Sequence, residues 1–435
     1  MIKDFDGEKG NVDLVFDEAN QNKDYFNLIC DKNYSSSGKL KNVCISVKDS
    51  IIVKDVISRG GSKILDGYNP LFSATVVQRL VNNGAIVVGK TTQDEFGFGS
   101  FNVNVGKGFS VPKNPFDSER SCGGSSGGGC AFTQKCTGEH ISLVESTGGS
   151  IACPASFCGV FGFTPTYGLL SRYGLIDYGN SLDKIGFASK YLDNIANILG
   201  YCIGKDENDS TSLDVNEKYS IKSLKGLKVG LVSEGFDVDE GVKNVIIEYL
   251  DTKKVKYDEV SLDFSYKYGV AAYYIVAMCE ASTNLAKYCG MRYGLSDEIK
   301  GDFNQYFSKI REEGFGNEAK RRVMLGTFAR MVGYRDAYYI KALKVKTMII
   351  KDYKKKFKKY DVLITPTMPF IAPRFDDIKN MSVVDNYMAD KLLAGVNLGG
   401  FPHLNVPVGF LNKMPVGMLV IADHLMEKNL FRGWL

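Results

Sequence analysis

Two glycine-flanked serine clusters could do chemistry in this chain: Gly123-Gly124-Ser125-Ser126-Gly127-Gly128-Gly129 and Thr147-Gly148-Gly149-Ser150. Glycine lets backbone approach a ligand closely, and small hydroxyls among exposed backbone N–H groups suit two tasks. One is a phosphate cradle; the other is a serine nucleophile with an oxyanion hole. Neither cluster runs into a Gly-Lys-Ser/Thr ending, and no acidic residue stands at a convincing distance for a ribose, so the phosphate cradle is the weaker reading. A serine nucleophile needs a base. The chain has only three histidines, His140, His403 and His424. His140 begins a strand-like segment and His403 sits beside Pro402, so a structural role suits each. Lysine can serve instead when its ammonium is desolvated or placed in a positive field. Lys48 closes the apolar run 42–51, where a lysine is unusual without a partner or a task; a strand-end lysine reaching solvent is the plain alternative. A second serine between base and nucleophile could relay the proton, and the first cluster supplies one.

The elements that must position these groups alternate as in an α/β protein. Residues 1–40 read as a polar, helical lead-in ending in the turn-rich segment 34–38. The spacing predicts a buried strand over 42–51, a helix over 71–81 stopped by Asn82-Asn83-Gly84, and a strand over 85–91, the αβ half of a βαβ unit. A helix starts near Gly129, a strand covers 140–145, and short strands and turns continue through 156–187. The two serine clusters would then aim helix N-termini or N–H nests into one pocket. A helix over 191–203 precedes the polar break 206–212, the best candidate for a boundary or long surface loop. Alternation resumes with strands over 227–232 and 255–260 around a helix at 242–250. Residues 268–358 are helical, with Tyr338, Ala342, Val345 and Ile349 on one face. Strands over 361–367, 404–409 and 416–421 close the chain.

Composition sets outer bounds. The chain has 435 residues, 44% apolar and 24% charged, with a formal net charge of +4. That is ordinary globular composition, and the charge demands neither a nucleic-acid nor a membrane partner. The lysines of 351–359 read as the solvated end of an amphipathic helix. Ten cysteines without a CxxC pair, beside three histidines, make a zinc site improbable and fit reduced thiols in a cytosol. No run of about 18 apolar residues occurs, and the N-terminus has no apolar core of a signal peptide. The expectation is a cytoplasmic protein without a bound metal.

The ordered motifs VKDSI, GGSSGG and STGGSI-x-x-PASFCGVFGFTPTYGLLSRYG resemble the amidase signature family, from about residue 40 to the C-terminus. The resemblance implies one amidase domain over 1–435, an α/β/α sandwich with a central mixed sheet flanked by helices. Residues 40–205 would be the catalytic core and the 268–358 helices would cover the pocket. It implies Lys48 as base, Ser125 as relay serine after a cis peptide, and Ser150 as nucleophile. The N–H groups of Thr147, Gly148, Gly149 and Ser150 would form the oxyanion hole. Within the family, segments such as SRYGLIDYGNSLDKIGF and VNLGGFPHLNVPVGF are similar to the glutaminase subunits of tRNA-dependent amidotransferases. That similarity implies a glutamine site in which Arg322 pairs the carboxylate, Asp390 takes the α-ammonium and Tyr273 lines the pocket. It also implies a B subunit that uses ATP and Mg, a small C subunit, and charged tRNA reached mainly through them, with no cofactor in this chain. A stand-alone amidase for small or aryl amides, and a scaffold without catalysis, are the competing functions. Departures from the family pattern are Glu145-Ser146 before Thr147, Ala152-Cys153 after Ser-Ile, Thr164, and one extra residue between Ser125 and Ser150.

Overall fold

Eleven strands form one mixed sheet in the computed structural model, which describes residues 9–35 and 37–434. Part of the lead-in, 1–8, and Ser36 of the turn-rich segment lie outside the described residues. The strands are β1 (Phe26–Ile29), β2 (Cys44–Lys48), β3 (Ile86–Thr91), β4 (His140–Ser146), β5 (Phe161–Thr164) and β6 (Lys184–Ser189). They continue with β7 (Val229–Val232), β8 (Tyr257–Val260), β9 (Val362–Pro366), β10 (His403–Leu411) and β11 (Met414–Ala422). Their spatial order is β1-β3-β2-β4-β6-β5-β10-β11-β9-β7-β8. β2 runs parallel to both β3 and β4, and β7 runs parallel to both β8 and β9; β4/β6, β5/β6, β5/β10, β10/β11 and β9/β11 are antiparallel.

Helices cover the sheet, so the central strands are buried on both faces. Every residue of β2, β4 and β6 is buried. That is why the segment of β2 reads as an apolar run rather than as an alternating one, whereas β4 (HISLVES) and β6 (KIGFAS) bury polar residues as well. The helix Thr75–Asn82 begins later than its apolar spacing suggests, because residues 71–74 run up to it as bends and extended chain, with Leu71 at 85% exposure. The lead-in contains the helix Lys9–Gln21. Residues 152–158, the last three of them within what reads as strands and turns, form a fully buried helix, ACPASFC. Side chains that bury completely let it lie between its neighbours at close range.

The polar segment 206–212 is a loop tied into the molecule. The Asp206 carboxylate accepts from the hydroxyls of Thr75 at 2.6 Å and Ser171 at 2.5 Å, and the Ser212 hydroxyl accepts from the Asp206 N–H at 3.0 Å. The helical block consists of Asp263–Asn284, Phe303–Gly314, Asn317–Arg330 and Lys341–Phe357. Ala342 and Ile349 are buried as their spacing requires, whereas Tyr338 is 42% exposed. Tyr338 lies in the π-helical turn Asp336–Ile340, which shifts the phase of the apolar stripe. All ten cysteines are unbridged, and eight are buried. Among the described residues, no helix is long and apolar enough to cross a membrane.

Candidate active site

Lys48 ends β2 in the interior, its side chain fully buried. The sheet ends there, so the amine faces the loops that follow β4 and precede the helix Gly127–Lys135. Its Nζ donates to Ser125 Oγ at 2.7 Å, to Glu145 Oε2 at 2.9 Å and to the Glu145 carbonyl at 3.0 Å. Three oxygens thus lie within hydrogen-bond distance of the buried amine, so none of its N–H bonds is left unmet. The Gly124–Ser125 peptide is cis. Two backbone bonds fix this turn: the Gly124 N–H donates to the Ser100 carbonyl at 2.8 Å and the Asp94 N–H donates to the Ser125 carbonyl at 3.2 Å.

Ser126 joins the first cluster to the second. Its hydroxyl donates to the Glu145 carbonyl at 3.0 Å and its N–H donates to the Ser150 carbonyl at 3.2 Å. Ser150 is 6% exposed, and among the described residues its hydroxyl has no hydrogen bond to Ser125. The N–H groups of Thr147, Gly148, Gly149 and Ser150 donate to no acceptor among the described residues. Four unspent donors beside a serine hydroxyl are what a developing oxyanion needs. Glycine is required at 148 and 149 by close approach. A Cβ at 148 would stand 2.5 Å from Tyr273 Oη, and one at 149 would stand 2.5 Å from Leu393 Cδ1 and 3.3 Å from Asp390 Oδ1. The Ser146 hydroxyl donates to the Gly148 carbonyl at 3.0 Å and shapes the same turn.

A cavity of about 220 Å³ opens beside these turns, lined by Phe98, Ser100, Tyr274, Glu318, Arg322 and Tyr387 among others. Arg322 is buried, its guanidinium packed over the rings of Phe98 at 4.9 Å, Tyr178 and Tyr274 at 5.5 Å, and Tyr387 at 5.6 Å. Its Nε donates to Glu318 at 2.8 Å and one terminal nitrogen donates to the Tyr178 hydroxyl. Those bonds leave further donors of the guanidinium's five. Asp390 is buried between cavity and serines, accepting from the Tyr274 hydroxyl at 2.7 Å and the Ser100 hydroxyl at 3.1 Å. Burial pushes its carboxyl above the ordinary range. Asp94, also buried, is pushed up to about 6 by the same cause, against two backbone N–H donors from Asn102 and Asn104.

Lys48, Ser125 and the 147–150 turn are thus gathered on one side and Arg322 on the other, with Asp390 between them. Tyr273 faces the Gly148 turn, and its neighbour Tyr274 takes the cavity wall. The histidines lie apart from this constellation in structural contacts. His140 accepts from the Ser46 N–H at 3.2 Å, His403 lies 3.0 Å from the Phe401 carbonyl, and His424 stacks on Phe401. Sequence reading missed Glu145, beside Lys48, and Asp183, which lies 2.7 Å from the Thr147 hydroxyl that also contacts Glu145. The one signal for Glu145 was the departure at 145–146, a charged residue near the end of β4 beside the lysine that ends β2; Asp183 had none.

Comparison with known proteins agrees with this geometry. Residues 9–431 match the family model described as Amidase. The chain is 44% identical to the Glutamyl-tRNA(Gln) amidotransferase A subunit of Archaeoglobus fulgidus, over 92% of this chain and 86% of that one. It is 42% identical to the protein of the same name from Carboxydothermus hydrogenoformans, over 91% and 82%. The crystal structure of the Glutamyl-tRNA(Gln) amidotransferase A subunit from Thermotoga maritima superposes with a TM-score of 0.83 at 32% identity, covering 97% of this chain and 89% of that one. A bacterial aryl acylamidase shares the fold at a TM-score of 0.78 and 17% identity. A buried lysine on a cis-peptide serine, a second serine beside unspent N–H groups, and a match over nearly the whole chain place this protein in the amidase signature family.

Proposed function

We propose that this chain is the glutamine-hydrolysing A subunit of a glutamyl-tRNA(Gln) amidotransferase, releasing ammonia from glutamine for the amidation of Glu-tRNA(Gln), or of Asp-tRNA(Asn). The observation that carries the reading is the fully buried Lys48 amine 2.7 Å from the Ser125 hydroxyl. The relatives at 42–44% identity that bear the name of this glutaminase support it.

The chemistry follows from the placement. Neutral Lys48 takes the proton of Ser125 as Ser125 takes that of Ser150, and Ser150 Oγ attacks the side-chain amide carbon of glutamine. The N–H groups of Thr147 to Ser150 hold the oxyanion. The proton returns through Ser125 to the leaving nitrogen, ammonia departs, and water hydrolyses the glutamyl ester by the same relay. Arg322 pairs the substrate carboxylate, a bidentate partner held flat by four aromatic rings. Asp390 takes the α-ammonium. Ammonia then passes to a B subunit that activates the tRNA-bound carboxylate with ATP and Mg, in a complex with a small C subunit.

In S150A, glutamine hydrolysis and glutamine-dependent transamidation by the purified complex should vanish while amidation from free ammonia persists. Glutaminase activity surviving in S150A would remove Ser150 from its role.

A further inference from the structure

Lys48 does not stand alone with its serine. Glu145 Oε2 lies 2.9 Å from Lys48 Nζ, both side chains being buried. The other oxygen, Glu145 Oε1, lies 2.9 Å from the Thr147 hydroxyl, and Thr147 Oγ1 lies 2.7 Å from Asp183 Oδ1. Asp183 is itself fully buried at the head of β6, and its carboxylate accepts from the N–H groups of Tyr178 at 2.9 Å and Gly179 at 3.0 Å. A threonine hydroxyl has one proton and can donate it to one carboxylate only. The second contact is a hydrogen bond only when the other carboxyl carries a proton and donates to Thr147 Oγ1. Two buried carboxylates facing one hydroxyl therefore hold one proton between them.

We propose that Glu145, Thr147 and Asp183 form a buried proton-sharing unit behind Lys48, in which the shared proton sits on Glu145 when the lysine is neutral and on Asp183 when it is charged. The inference rests on Lys48 being the base of the hydrolysis proposed above and makes Glu145 and Asp183 positioning residues for it. In the resting state Glu145 Oε1–H donates to Thr147 Oγ1, and the threonine O–H donates to Asp183. When Ser150 attacks, its proton passes to Ser125 and that of Ser125 passes to Lys48. The Thr147 proton then moves to Asp183 Oδ1 as the Glu145 proton moves to Thr147 Oγ1. Glu145 becomes a carboxylate beside the new ammonium. No proton enters or leaves the unit, and the charge that appears on Lys48 meets an opposite charge in the same step. When Lys48 returns its proton to the leaving nitrogen, each transfer reverses.

Other ionisable groups face the unit. From β6 comes Lys184, buried, its amine pushed down to about 7 by burial and by Lys346. Arg172, Tyr167 and Tyr178 approach Asp183 from the 167–178 segment. Glu280 of the helix Asp263–Asn284 approaches Gly179, and Asp94 and Cys130 act on the Lys48 side. When Glu145 is the carboxylate beside a charged Lys48, burial and the charge of Glu145 push the Asp183 carboxyl well above its usual range, which matches the state with the shared proton on Asp183.

The test is the pH dependence of kcat/KM for glutamine hydrolysis by the chain purified with its native subunits. E145Q removes the anion that stabilises charged Lys48, so the acidic limb moves to lower pH by about one unit. D183N strands Glu145 as a permanent carboxylate, so the limb moves to higher pH by about one unit. A merely structural role would lower activity without moving the limbs in opposite directions. If either carboxyl variant fails to fold, T147V and T147S decide: T147V moves the limb upward as D183N does, and T147S keeps the wild-type limb. Limbs of E145Q and D183N that coincide with wild type or move the same way, or T147V indistinguishable from T147S, would overturn proton sharing. A wild-type complex that hydrolyses no glutamine would instead overturn the functional reading on which it rests.

Discussion

Arg322 packs within four aromatic rings and pairs with Glu318, so its substitution separates charge from geometry. A lysine there keeps the cation and loses the planar fork that matches a carboxylate. R322K should raise KM for glutamine about tenfold or more, with kcat less affected, since the interaction holds the substrate's distal end in ground and transition states alike. Steady-state kinetics check this, and an unchanged KM would remove Arg322 from the carboxylate site. At this scale much of the site was legible. Lys48 stood out because lysine rarely ends an apolar strand, and Ser125 and Ser150 because glycine flanks them. Glu145 and Asp183 did not stand out. Their proximity depends on β4 lying beside β6, a pairing that no local spacing encodes.

The decisive element is the turn from β4 into the helix Ala152–Cys158, which carries Thr147 to Ser150. Its backbone passes so close to Tyr273 and Leu393 that side chains at 148 and 149 have no room. G149A should displace the turn at a stability cost of about 1–3 kcal/mol and reduce kcat, because the donors no longer meet the oxyanion. L393A removes the atom that the new methyl would strike at 2.5 Å. The double variant G149A/L393A should therefore be more active than the product of the single effects predicts, and a double-mutant cycle measures that coupling. Most elements could be read from apolar runs bounded by glycine. The helix 152–158 could not, because seven buried residues rich in Ala, Cys and Ser have no amphipathic period to display. The π-turn at 336–340 was equally hidden, since nothing in its composition marks the extra residue.

Across the whole molecule the sheet is continuous from β1 to β8, although its two parallel sectors are separated by antiparallel strands from distant parts of the chain. That order was not legible, because it is set by which runs bury against each other over hundreds of residues. Burial on both faces has an electrostatic consequence. His140 and His403, both interior, are pushed down to about 3 by desolvation. A histidine held neutral in the fold contributes stability that is full above its unfolded value, about 6.5, and is lost as pH falls from there toward 3. The loss is about 1.4 kcal/mol per pH unit for each histidine. Replacing His140 by glutamine should therefore flatten the acid slope of stability by that amount between about pH 6 and about pH 4, measured by urea unfolding at each pH. An unaltered slope would mean that the ring is protonated in the fold.

The central claim is that Lys48 and Ser125 make Ser150 a nucleophile toward glutamine. An electrophilic glutamine analogue that captures the attacking atom, followed by peptide mass mapping, tests it most directly. The adduct should fall on the peptide containing Ser150, be blocked by excess glutamine, and be absent from K48M, which keeps the chain length and loses the base. An adduct on any other residue, or undiminished labelling of Ser150 in K48M, would contradict the account.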